Sequence, residues 1–199
     1  MQNMDMIKEH INDALYEDEV ILWAGRPGKA RLLDAPYGTP IMIRWFICLI
    51  IAAFAFWYRF SYIPSVASTS VNGDVVMLVI LVIAVLIALL PFKDIIKLNR
   101  NCFYYITDHR VISLVRGSSS IMNEKHYSDV SEITYDMHAT DVGNIYIGKK
   151  EKTSENKARI RVLTRPVEDG EEHKRPLIFY NVNNPDKVMN FFPPLKSGK

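Results

Sequence analysis

Cysteine is scarce in this chain: Cys48 and Cys102 are the two among 199 residues. One sits inside a long apolar run and the other just past a second run. A bridge would join a bilayer position to a soluble one, so a disulfide framework is excluded. Free thiols suit a reducing cytoplasm. Strong net charge is also missing, and +2 is too small to argue for a nucleic-acid partner. The five histidines (His10, His109, His126, His138 and His173) fall into no H-x-x-x-H, H-E-x-x-H or Cys/His metal spacing. Ser118–Ser120 lie in a Gly-Ser turn rather than a G-x-S-x-G elbow. No P-loop or dinucleotide glycine pattern occurs. These absences leave no catalytic constellation, and the expectation is a non-enzymatic protein with no cofactor and no metal. No basic n-region with a short apolar core stands near Met1, so no cleavable signal peptide is expected.

What the chain does have is grease in two blocks. Ile41–Tyr58 reads IMIRWFICLIIAAFAFWY with Arg44 as its one charge, and Val75–Leu90 reads VVMLVILVIAVLIALL with none. A hydrocarbon core of about 30 Å needs roughly 20 apolar residues in a helix. Two buried helices of a soluble bundle are the alternative, but an uninterrupted apolar run leaves no polar stripe for a solvent face. A membrane protein is expected, with lipids as its first partners.

Charge sets the expected topology. The linker Ser61–Asp74 holds no lysine or arginine. Lys8, Arg26, Lys29, Arg31 and Arg44 precede or open the first run, and Lys93, Lys97 and Arg100 follow the second. The positive-inside bias puts both termini in the cytoplasm and the short linker outside. Arg59 dissents, but Trp57, Tyr58 and Tyr62 beside it make an interfacial belt into which a long cation can snorkel. Trp45 and Phe46 mark the inner interface, and Asn72 and Asp74 suit the cap of the second helix. Pro91 predicts a kink or break, followed by a short amphipathic stretch with Phe92, Ile95 and Ile96 against Lys93, Lys97 and Arg100; a plain stop-transfer cluster would use the same lysines.

The flanking pieces read differently. Met4, Ile7, Ile11, Ala14 and Leu15 recur at helical spacing, and Glu19–Trp23 is strand-like, ending at Gly25 and Pro27. After the hairpin, candidate strands are Cys102–Thr107, Val111–Val115, Ile121–Tyr127, Val130–Asp136, Asn144–Gly148, Ala158–Thr164 and Pro176–Val182. Seven short strands with turn signals between them predict a small antiparallel sandwich or barrel. Asn184-Pro185-Asp186 predicts a helix start, with Val188, Phe191, Phe192 and Leu195 as a stripe that could plug a barrel end. Asp108 is expected to cap the turn between the first two of these strands, and Arg110 to pair with an acid such as Glu19.

Seven strands closed by a C-terminal helix resemble a pleckstrin-homology (PH) domain. YYITDHRVISL (Tyr104–Leu114), HYSDVSEI (His126–Ile133), GNIYIG (Gly143–Gly148) and VNNPDKVMNFF (Val182–Phe192) are similar, in order, to motifs of bacterial PH-like domains attached to membrane hairpins. DEVILWAGRP (Asp18–Pro27) resembles their lead-in to the first membrane helix. The resemblance singles out Glu19, Trp23, Tyr105, Thr107, Asp108, Arg110, Gly143, Gly148, Asn184 and Pro185 as motif residues with structural roles. It implies an α+β membrane protein of the bacterial inner membrane. Residues 1–40 would be a cytoplasmic helix and strand, and 41–92 a transmembrane hairpin with helices near 41–59 and 73–91 around an outer loop 60–72. Residues 93–199 would be a cytoplasmic PH-like domain. Eukaryotic phosphoinositide binding depends on a basic first hairpin loop. Arg116–Lys125, with GSSSIMNE between two cations, departs from it.

One surface carries charge. Lys149–Arg165 has seven cations against two acids, and Lys157, Arg159 and Arg161 alternate as on one face of a strand. Facing an anionic leaflet, each would add about 1 kcal/mol of attraction. The plainer alternative is a solvated basic edge that discourages strand pairing, neutralised by the acids of 168–172. The expected function is a scaffold or regulator making protein–protein contacts at the inner face of the membrane, with self-association open to it. The alternative is a module that responds to anionic lipid.

Overall fold

A computed structural model describes residues 11, 14–33, 38–62, 73–117, 120–150, 152–164 and 175–194. Two compact units divide the chain: Met1–Ala30 with Ile96–Lys199, and Arg31–Ile95.

The second unit is the apolar hairpin. Helix α1 runs Gly38–Trp57 and closes with a π-helical turn, Tyr58–Tyr62. Helix α2 begins at Gly73 and continues to Asn101. Twenty residues of α1 span about 30 Å. Both helices are long and apolar enough to cross a membrane, and only 17% and 11% of their most apolar stretches are buried. A core helix of a soluble protein would be largely covered; here Phe46, Leu49 and Leu78 are each at least 60% exposed. Beyond Gly38 at the start of α1, buried residues recur every seven positions: Ile41, Cys48 and Ala55 in α1, Ala84 and Pro91 in α2. That is the period of a left-handed helix pair. At the other end Arg59 pairs with Asp74 at 2.5 Å. The expected cap Asn72 lies outside the described residues.

Of the expected kink or break at Pro91, the break is absent: α2 runs through the proline. Proline removes one N–H and crowds the preceding turn, loosening the carbonyls of Ile87 and Ala88. The indole Nε1 of Trp45 donates to the Ala88 oxygen at 3.1 Å, and its ring stacks on Phe92 at 6.1 Å. A neighbouring helix thus supplies a donor to a carbonyl in the turn before the proline, one of the ways proline is tolerated in such helices.

The first unit is a sandwich of two antiparallel sheets. One has the order β1-β2-β3-β4, with β1 Ile21–Gly25, β2 Cys102–Thr107, β3 Arg110–Val115 and β4 Ile121–His126. The other has the order β5-β6-β7, with β5 Ile133–Ala139, β6 Val142–Ile147 and β7 Leu177–Asn183. A 3-10 turn, Tyr127–Asp129, joins the sheets, which do not close into a barrel. Strand β1 pairs with β2 (Ala24 opposite Tyr105) although the whole hairpin separates them in sequence. The alternation in CFYYIT and RVISLV buries both faces. Phe103, Tyr105, Ile112 and Leu114 join Ile11 and Ala24 on one side. On the other, Tyr104 stacks on Phe179 of β7 at 4.4 Å.

Among the described residues there are seven strands, but their membership differs from the expectation: β1 is one of them and Ala158–Thr164 is not. That segment belongs to helix α3, Lys152–Leu163. Arg159-Ile160-Arg161-Val162 alternates like a strand, yet Ala158 and Val162 are also four apart, and over so short a window the two periods coincide. Ala158 and Val162 are buried while Ile160 is 58% exposed, which is the helical pattern. The C-terminal helix α4 is a short piece, Pro185–Met189. Val188 is buried and Phe192 half-buried, but Phe191 is exposed, and Leu195 lies outside the described residues, so Val188 alone of the expected plugging stripe is fully buried.

Candidate functional site

The densest set of charged and polar contacts lies where the chain before the hairpin meets β2–β4. Arg110, at the start of β3, is almost wholly buried, and so is Glu19. Its Nε donates to the two Glu19 oxygens at 2.9 and 3.2 Å, and Nη2 donates to Oε2 at 2.8 Å. Nη2 also reaches the Ala14 carbonyl at 2.7 Å, Nη1 bonds Glu124, and the guanidinium lies 4.1 Å from the Tyr16 ring centroid. Thr107 Oγ1 donates to Glu19 at 2.7 Å and accepts from the N–H of Arg110 at 3.0 Å. Burial pushes the Glu19 carboxyl up, but donors from Arg110, Thr107 and the Tyr16 N–H outweigh it and hold the group below its ordinary range. The Glu19 carboxylate raises Arg110 in turn, against its burial. The turn is capped by Thr107 rather than by the expected Asp108: Thr107 Oγ1 accepts from the N–H groups of His109 and Arg110 at 3.2 and 3.0 Å. Asp108 instead reaches the residue before β1, its Oδ1 accepting from the Val20 N–H at 2.9 Å and lying 2.8 Å from His109 Nδ1. Nε and Nη2 of Arg110 hold the leading segment through Glu19 and Ala14 while Nη1 bonds Glu124 in β4, so the cluster fastens that segment to the sheet.

A second polar knot binds the same segment to the other sheet. Asn181 in β7 is buried in a left-handed conformation, φ 58°. Its N–H donates to Asn144 Oδ1 at 2.9 Å, its Nδ2 donates to the Gly28 carbonyl at 2.8 Å, and its carbonyl accepts from the Gly28 N–H. Tyr104 Oη, from β2, donates to the Tyr180 carbonyl and accepts from the Tyr180 N–H, both at 3.0 Å. Ala30 and Asn99 exchange a reciprocal pair: Ala30 N to Oδ1 at 2.9 Å, and Nδ2 to Ala30 O at 3.0 Å. The two ends of chain that enter and leave the hairpin are therefore tied together within the β domain.

The other motif residues are spread through the fold. Trp23 stacks on Phe179 at 6.3 Å, and Tyr105 is fully buried beside Ile11. Gly143 passes so close to the Asp136 carbonyl that a Cβ would collide with it. Gly148, at φ 103°, sits beside Lys125. Asn184, at φ 49°, turns the chain so that Pro185 starts α4. Of the set, Glu19, Thr107, Asp108 and Arg110 are brought together, and Gly143 lies against Pro185 apart from them.

The basic strand does not exist as expected. Lys157, Arg159 and Arg161 lie on α3, where Arg159 turns inward and is 4% exposed while Arg161 is half-buried. Residues two apart on a helix point to different sides, so Arg159 and Arg161 do not share the single face that a strand would give them. Sequence reasoning missed Asn181, Asn99 and Lys125. Lys125 is buried in β4 and donates to the Arg175 carbonyl at 2.8 Å, and burial lowers its amine. For Asn181 the signal was an amide amid the apolar run Phe179–Val182. For Asn99 and Lys125 the partners are backbone groups, the Ala30 N–H and carbonyl and the Arg175 carbonyl, which leave no side-chain pattern. No family model, curated protein or solved structure matches the chain.

Proposed function

We propose that this is a membrane-anchored, non-enzymatic scaffold of the bacterial inner membrane. Its PH-like β domain makes protein–protein contacts at the cytoplasmic face, both termini are cytoplasmic, and loop 60–72 alone lies outside. The observation that carries this reading is the insertion of the apolar hairpin between β1 and β2, with Ala30 and Asn99 tied at its base. A domain built around its own anchor is held at the surface with restricted freedom, which raises its effective concentration toward membrane-bound partners. The PH-like reading draws on two antiparallel sheets followed by the short helix α4, and the buried Glu19–Arg110 pair reads as structure rather than chemistry. Chemical crosslinking in native membranes, followed by purification in mild detergent, tests it. A specific protein neighbour or a self-oligomer is expected; a strictly monomeric protein with no neighbour counts against the scaffold. Response to anionic lipid is the second reading, favoured by the cations that flank the hairpin.

A further inference from the structure

Three stretches of the β domain converge where its chain passes into and out of the apolar hairpin: 26–30, 96–101 and 115–117. Ala30 and Asn99 bind each other, the Arg116 N–H donates to the Asn101 carbonyl at 2.8 Å, and the Arg26 guanidinium lies 4.4 Å from the Phe103 ring centroid. These stretches carry Arg26, Lys29, Lys97, Arg100 and Arg116, and no acidic residue. Lys29, Arg100 and Arg116 are exposed, and Lys97 and Arg26 are half-buried. Stacking on Phe103 leaves the Arg26 Nε buried without a hydrogen-bond partner among the described residues.

Cations gathered without acids, a few residues from the ends of two apolar helices, complement one kind of surface by charge. We propose that this junction is a collar that binds the phosphates of anionic phospholipids, in place of the Lys157, Arg159 and Arg161 face. It rests on the membrane-spanning reading and names the lipid-binding site that the second functional reading lacked. The chemistry fits. Guanidinium groups take phosphate oxygens in a two-pronged fork, lysines act as point charges beside them, and the leaflet's own potential concentrates the ligand at these residues.

The test uses the full chain reconstituted in phosphatidylcholine bilayers, with spin-labelled phosphatidylglycerol or phosphatidylcholine as the probe of motionally restricted lipid. The wild type should select phosphatidylglycerol by about fivefold or more, the factor that a single surface cation contributes. The selectivity should fade as salt rises. The variant carrying Lys29→Gln, Lys97→Gln, Arg100→Gln and Arg116→Gln should retain restricted lipid around its helices but choose the two lipids about equally. Lys149→Gln with Lys187→Gln, elsewhere on the β domain, should leave the selectivity in place. Equal restriction of the two lipids by the wild type, a measurement independent of any variant's folding, would overturn the collar while leaving the membrane hairpin standing. So would unchanged selectivity in the fourfold variant. Absence of restricted lipid of either kind would instead remove the membrane reading, and the collar with it.

Discussion

Glu19 and Arg110 stand 91 positions apart, one before the apolar hairpin and one after it, and they meet in a buried bidentate pair. Breaking such a pair strands a charge in the interior and costs about 3–5 kcal/mol, whereas replacing both partners with apolar groups costs far less. Arg110→Met should therefore lower the unfolding temperature of the full chain in mild detergent more than Arg110→Met combined with Glu19→Leu does. Trp23 fluorescence, quenched or shifted as its contact with Phe179 is lost, reports the transition. Additive losses in the double variant would show that the pair is not coupled.

The same pair sets an acid limit. The Glu19 carboxyl is held below its ordinary value of 4.5, so its contribution is complete above about that pH. It is lost as the pH falls through the lowered value. Asp108, lowered by His109 and by the Val20 N–H, acts in the same direction. Denaturant titrations at pH 7 and pH 4 should show the stability gap between wild type and Glu19→Gln narrowing on acidification. A gap that widens would contradict the assignment.

Trp45 and Pro91 form a second coupled pair, inside the hairpin. Trp45→Phe removes the donor to Ala88 and should cost about 0.6–1.7 kcal/mol, the range of hydrogen bonds between membrane helices. Pro91→Ala returns an N–H to the helix and relaxes the preceding turn, so Trp45→Phe should cost less in that background. A double-mutant cycle of hairpin stability, read by denaturation in detergent, measures the difference. Equal costs in the two backgrounds would detach the indole from the proline.

Gly148→Ala places a side chain at φ 103° beside the Lys125 amine. A strained residue of this kind costs about 1–3 kcal/mol. A neutral effect on the thermal unfolding of the β domain would require the turn to adopt another conformation.

Much of this architecture is visible in the residues themselves. Val75–Leu90 has no polar side to offer water, and the run from Tyr104 to Leu114 alternates around an Asp-His turn, so the hairpin helices and the β2–β3 pair follow from local chemistry. Even the acid that Arg110 meets can be named in advance. The errors fall where local and long-range signals diverge. Arg159-Ile160-Arg161-Val162 obeys the strand period, but Ala158 and Val162 bury together against β7 only as a helix. Pro91 argues against helix until a donor on another helix, Trp45, is brought to the disturbed turn. The chain entering the hairpin is held to the chain leaving it by contacts such as Ala30 with Asn99, in which a side-chain amide meets backbone groups that leave no pattern in the sequence.

The account stands most directly on which side of the membrane the β domain lies. In intact cells, a membrane-impermeant thiol reagent applied from outside should label Ser68→Cys in the linker. It should reach Lys187→Cys, exposed on α4, only after permeabilisation. Labelling of Lys187→Cys from outside, or recovery of the full chain in the soluble fraction without detergent, would contradict a β domain anchored by its own hairpin at the cytoplasmic face.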